Sequence, residues 1–129
     1  LEAWVELGLT LTQLRVLFVL RAEDGASASV LAERLNVTPS TLTRIVDRLV
    51  GQGLVRRETD DNDRRLVRHY LSAKGASTVE ELERGGRARM NEVMDRLSDA
   101  QMERLALALD DFASALEAQE AEEISRVEA

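Results

Sequence analysis

The string Thr59-Asp60-Asp61-Asn62-Asp63-Arg64-Arg65 separates two short runs, residues 54–58 and 66–71, in which apolar and polar side chains alternate. Alternation with a period of two is the pattern of half-buried strands, and the turn-rich acidic stretch between them makes a hairpin tip. Almost everywhere else the apolar residues recur at helical spacing. The chain is therefore expected to be mainly α with one small β ribbon, in the order four helices, hairpin, two long helices.

The helix just before the ribbon is the best signposted. Thr38 is a favourable N-cap, and Pro39 at the first helical position gives up no needed hydrogen bond. Leu42, Ile45, Val46 and Leu49 share one face and are expected to be buried. Ser40, Thr41, Thr43, Arg44, Asp47 and Arg48 remain outside, and Gly51-Gln52-Gly53 ends the helix. Upstream, residues 1–9 read as the end of a helix. Thr10-Leu11-Thr12 offers caps for a helix carrying Leu14, Leu17, Phe18 and Leu20, which Glu23-Asp24-Gly25 closes. Residues 26–28 read as an extended link, and Ser29 is the expected cap of a short helix with Val30, Leu31, Ala32 and Leu35 that stops at Asn36. Downstream, Ser72-Ala73-Lys74-Gly75 starts a long helix that Gly85-Gly86 should weaken. Ser98 or Asp99 caps a last one, in which Met102, Leu105, Leu109, Phe112 and Leu116 repeat in a 3-4-3-4 rhythm. Such a seam asks for a partner helix. The acidic tail, residues 117–129, is expected to fray at its end.

Composition removes several function classes. There is no cysteine, so disulfides, thiolate metal sites and cysteine redox sensing are excluded, and the single histidine, His69, makes a histidine-based metal site or catalytic triad improbable. No metal and no cofactor is expected. No apolar run approaches the ~20 residues of a membrane span and no signal peptide opens the chain, which reads as cytoplasmic. No nucleophile–base pair or phosphate loop is evident, so an enzyme is the weakest reading.

The formal net charge of −7 argues at first against nucleic acid, but its distribution does not. Between Arg34 and Lys74 nine basic residues face five acidic ones, a net of +4, which leaves −11 on the rest of the chain. One face of an acidic body can thus meet a phosphate backbone. The major groove admits one α-helix, read by short polar and arginine side chains near its start. Ser40, Thr41, Thr43 and Arg44 suit base or phosphate contacts, and Arg48 suits phosphate. Arg64 and Arg65 on the ribbon tip suit a narrow minor groove, and Asp63 can pair with a neighbouring arginine and fix its direction. The residues themselves therefore read as a DNA-binding winged helix-turn-helix. A winged-helix module binding protein instead would leave Arg64 and Arg65 without a role.

Together the runs 53–57, 60–65 and 71–75 closely resemble the MarR family of bacterial transcriptional regulators, whose wing reads Asp, a few residues, Asp-Arg-Arg, a strand and Leu-Thr-x-x-Gly. Residues 11–17, 31–35 and 37–49 are similar to the family's helices before and at the recognition position. The resemblance covers roughly residues 5–115. It implies one domain over residues 1–129, with the winged helix-turn-helix at about 10–75 and a helical dimerisation region from 1–9 and 76–125. It implies a homodimer, a repressor of transcription, that reads an inverted-repeat operator in double-stranded DNA. Arg65, braced by Asp63 and flanked by Arg64, becomes the minor-groove arginine. A small aromatic or phenolic effector is also implied, with Trp4, Leu7, Leu9, Arg15 and Tyr70 as lining residues. The family's peroxide-sensing cysteine is missing here. His69 stands where a branched apolar residue is usual and is expected to pack without sensing pH.

Overall fold

The computed structural model describes residues 5–129, which form two compact units, one reaching to Gly86 and the other Arg87–Ala129. The first unit starts with α1 (Leu11–Ala22), whose Thr10 and Gln13 form a reciprocal capping box. Val16, Leu17 and Leu20 of α1 are buried, while Phe18 is partly exposed. Two residues, Ala26–Ser27, then form β1, followed by α2 (Ala28–Leu35).

Ser27 caps α2, its hydroxyl accepting from the Val30 amide, so the expected cap at Ser29 is two residues too late. The strand pairing of Ala26 and Ser27 fixes where the helix can begin, and Ser29 falls inside the first turn, its hydroxyl 3.1 Å from that of Ser27. Asn36 ends α2 at φ +53, a left-handed position that asparagine tolerates because its short polar side chain bonds locally. Helix α3 (Pro39–Gly51) follows, with Thr38 as cap accepting from the Thr41 amide. Leu42, Val46 and Leu49 of α3 pack with Leu17, Leu20, Leu31 and Val79 into one core, and Ile45 is partly buried against it.

The ribbon is a three-stranded antiparallel sheet in the order β1-β3-β2, with β2 Val55–Thr59 and β3 Val67–Leu71. Val55 faces Leu71 and Thr59 faces Val67, while Ala26 faces His69 on the other side. The expected extended link at 26–28 is thus partly a third strand, which locks the ribbon to the end of α1.

Helix α4 (Ala73–Met94) is clamped at its start. The Ser72 hydroxyl donates to the Gly53 carbonyl and accepts from the Gly75 amide, and the Ser72 amide donates to the Leu54 carbonyl. The approach is so close that a Cβ on Gly75 would lie 2.0 Å from the Leu54 carbonyl oxygen. Only glycine fits there. Gly85 and Gly86 lie inside α4 without ending it.

In the second unit, α5 (Asp99–Glu128) is capped by a Ser98–Gln101 box and runs 30 residues. The acidic tail, expected to fray at its end, is helical as far as Glu128. Alanine and glutamate, which dominate that stretch, are strong helix formers, so acidity there did not mean disorder. Leu105, Leu109, Phe112 and Leu116 of α5 are all exposed, Phe112 to 67 %. Among the described residues no helix is long and apolar enough to cross a membrane, and no cluster of His, Asp and Glu could hold a metal ion.

Candidate nucleic-acid interface

Helix α3 has a hollow on each flank. One, of about 370 Å³, is lined by Thr10, Thr12, Gln13 and Val37 on one side and by Thr41, Arg44, Ile45 and Arg48 of the helix. The other, of about 290 Å³, lies between Thr43 and Asp47 of the helix and Arg57, Val67 and His69 of the sheet. A helix cleared on both sides has the room that the walls of a major groove demand.

Ser40, Thr43, Arg44 and Arg48 are exposed on that helix, and Thr41 is half-buried. Thr43 is held by its own backbone, its hydroxyl donating 3.0 Å to the Pro39 carbonyl. The Thr41 hydroxyl accepts from that of Thr38 at 2.9 Å, so it takes part in the cap as well as lying on the helix surface. Arg44 and Arg48 share one edge of the helix, one turn apart. On the opposite edge Asp47 accepts from Arg57 of β2 at 2.5 Å. That pair offsets the charge of a carboxylate that stays exposed and ties helix to ribbon.

Asp60 organises the ribbon tip. Its Oδ1 accepts the amides of Asn62 and Asp63 at 2.8 and 2.9 Å, and its Oδ2 accepts from Arg68 Nε at 2.5 Å. The Arg68 guanidinium, and then those two amides, hold its carboxyl below the usual carboxylate range, at about 2. Asp63 Oδ1 in turn accepts the Arg65 amide at 3.1 Å and Arg65 Nε at 3.3 Å. The contact steers the root of a side chain that stays 93 % exposed. Arg64 and Asp61 are exposed beside it. Below the tip, His69 is buried and its Nδ1 meets the Ala26 carbonyl at 2.9 Å, the ring nitrogen donating. Burial pushes its pKa down, and Arg57 across the ladder adds to that.

Sequence reasoning singled out Asp63 and missed the Asp60–Arg68 and Asp47–Arg57 pairs. Their members lie eight and ten residues apart; the hairpin fold brings Asp60 to Arg68, and the turn from α3 into β2 brings Asp47 to Arg57.

The residues expected around an effector do not gather in one place. Leu7 and Leu9 line a cavity of about 190 Å³ with Gln52, Leu54, Lys74 and Thr78. Neither Arg15 nor Tyr70 lines it. Arg15 is exposed on α1, and the Tyr70 ring sits under the Arg56 guanidinium, 4.5 Å from its centroid, with its hydroxyl against Gly25. Trp4 lies outside the described residues.

With this geometry in place, the chain can be compared with known proteins. Residues 9–67, from the start of α1 through the ribbon tip, match the MarR family. The HTH-type transcriptional repressor MdtR of Bacillus subtilis is 32 % identical over 98 % of this chain and 81 % of its own length. The chain belongs to the MarR family. It is a DNA-binding transcriptional regulator rather than an enzyme, with a winged-helix fold. Two solved structures agree. The YusO protein of Bacillus subtilis is 32 % identical with a TM-score of 0.79, covering 89 % of this chain and 82 % of that one. RV1404 of Mycobacterium tuberculosis is 30 % identical with a TM-score of 0.80, covering 88 % and 77 %.

Proposed function

We propose that this MarR-family regulator is a homodimeric repressor that reads an inverted repeat in double-stranded DNA. In this reading α3 enters the major groove, with Ser40, Thr41, Thr43 and Arg44 toward the base edges and Arg48 toward phosphate. The ribbon is the wing, and Arg65, with Arg64 beside it, enters the neighbouring minor groove. The observation that carries the reading is the clearance of α3 on both flanks, with its exposed edge bearing hydroxyls and two arginines and no lysine or glutamate. The exposed apolar seam of α5 supports pairing with a second copy. Two recognition helices related by a two-fold axis then address half-sites about one helical turn, ~10 bp, apart. A small aromatic or phenolic effector would act by favouring a dimer whose recognition helices are wrongly spaced, since only differential affinity shifts such an equilibrium.

The test is to let the protein select fragments from genomic DNA. Selected fragments should share an inverted repeat with that spacing. Unselective recovery of fragments would sink the operator reading. On the selected site, Arg44→Ala should relax the preference at one base position, costing ~1–3 kcal/mol there. A uniform loss over all sequences, with the salt slope lowered by about one, would make Arg44 a phosphate contact instead.

A further inference from the structure

Arg68 is the one arginine of the ribbon that points at the protein's own framework from both ends of its guanidinium. It sits on β3, on the face opposite buried His69, and is only 41 % exposed. Its Nε donates to Asp60 Oδ2, and its Nη1 donates 3.1 Å to the carbonyl of Gly25, 43 residues away in sequence. Gly25 belongs to the turn between α1 and β1, and its amide donates 3.0 Å to the His69 carbonyl. Asp60 is the first residue of the tip, with its side chain 12 % exposed.

Followed outward, these contacts form one path. The Gly25 carbonyl holds Arg68, Arg68 holds Asp60, and Asp60 holds the amides of Asn62 and Asp63. Asp63 then holds the amide and Nε of Arg65. A planar guanidinium suits this task, because its fork can serve a carboxylate and a carbonyl at fixed angles at once. At the far end, the Arg65 side chain has one weak tether of its own. Its aim therefore depends on how firmly the backbone of residues 60–65 is set.

We propose that Arg68 is a positioning residue for DNA binding, a latch that fixes the tip to the helical framework so that Arg65 is already aimed before DNA arrives. The proposal rests on the wing reading above and adds a residue that acts through Arg65 without needing to touch DNA. A binding group that is already ordered loses less entropy on association, so the latch raises affinity without any contact of its own.

The experiment is a double-mutant cycle on the full chain, with affinity for the selected operator duplex measured over a salt series. Arg68→Met keeps an unbranched apolar stem and removes both bonds; Asp60→Asn is the second variant, should the first not fold. Either should weaken binding about tenfold, the scale of one charge-assisted contact. Arg65→Ala should then cost clearly less in that background than in the wild type. Arg68→Lys, whose ammonium lacks the fork, should recover only part of the loss, and amide exchange at Asn62 and Asp63 should quicken in Arg68→Met. Wild-type affinity in Arg68→Met, or losses that simply add to those of Arg65→Ala, would overturn the latch, the second result marking Arg68 as a direct phosphate contact. If Arg65→Ala alone leaves affinity unchanged, the wing reading itself falls and the latch with it.

Discussion

Arg65→Ala is expected to weaken operator binding by about a hundredfold while leaving the melting temperature and the oligomeric state unchanged. A lost charge-assisted contact is worth ~1.5–3 kcal/mol, or about tenfold per wing at the lower end, and a dimer has two wings. Stability should not move, because the Arg65 side chain is 93 % exposed and its pairing with Asp63 spans a single weak bond. The loss should be greatest on operators flanked by A·T-rich steps, whose narrow minor groove concentrates negative potential. Fluorescence anisotropy on such duplexes, with calorimetry of the free protein, checks both halves. Wild-type affinity on every flank would remove Arg65 from the interface.

Leu109→Glu is expected to have the larger effect. Leu109 lies mid-seam on α5 and is 56 % exposed, and its seam neighbours Phe112 and Leu116 are 67 % and 47 % exposed. A glutamate there would put a charge at the centre of a helix–helix interface, where neither copy offers a cation to meet it at the seam positions Leu105, Phe112 and Leu116. The protein should sediment as a monomer, and operator affinity should fall by roughly 10²- to 10⁴-fold, the factor that linked half-sites gain over single ones. The winged unit has its own core, so residual binding to a single half-site should survive. A dimer that persists in this variant would show that the seam is not the dimer interface.

Local chemistry made much of the winged unit legible in the sequence. The Thr38-Pro39 start of α3, its Leu42–Val46–Leu49 stripe and the two alternating strands each depend on neighbours within one or two turns of chain. What was not legible depended on partners far away. Ala26–Ser27 has no strand pattern of its own and becomes β1 only because His69 and Arg68 lie opposite. That pairing also moved the α2 cap from Ser29 to Ser27. The end of α5 differs, since its acidic stretch is expected to fray at its end, whereas its alanines and glutamates favour helix and the helix runs to Glu128. Within the candidate interface the same division holds. Asp63 and Arg65 are two residues apart and could be linked by eye, whereas Asp60 with Arg68 waits on the hairpin fold, and Asp47 with Arg57 on how β2 packs against α3.

The pairing of Asp60 with Arg68 also has a consequence for how the molecule answers acid. A carboxyl lowered from 3.8 to about 2 adds stability that is complete above its unfolded value and fades only as pH falls toward 2. His69, lowered by burial, prefers the uncharged ring, so its contribution is present above pH 6.5 and declines below it, where the unfolded chain takes up the proton first. Both groups lose ground in the same direction. From neutrality upward to about pH 8 neither changes charge, and denaturant midpoints measured there should be flat before falling below about pH 6. The fold beneath the wing is buffered against alkali and yields first to protons.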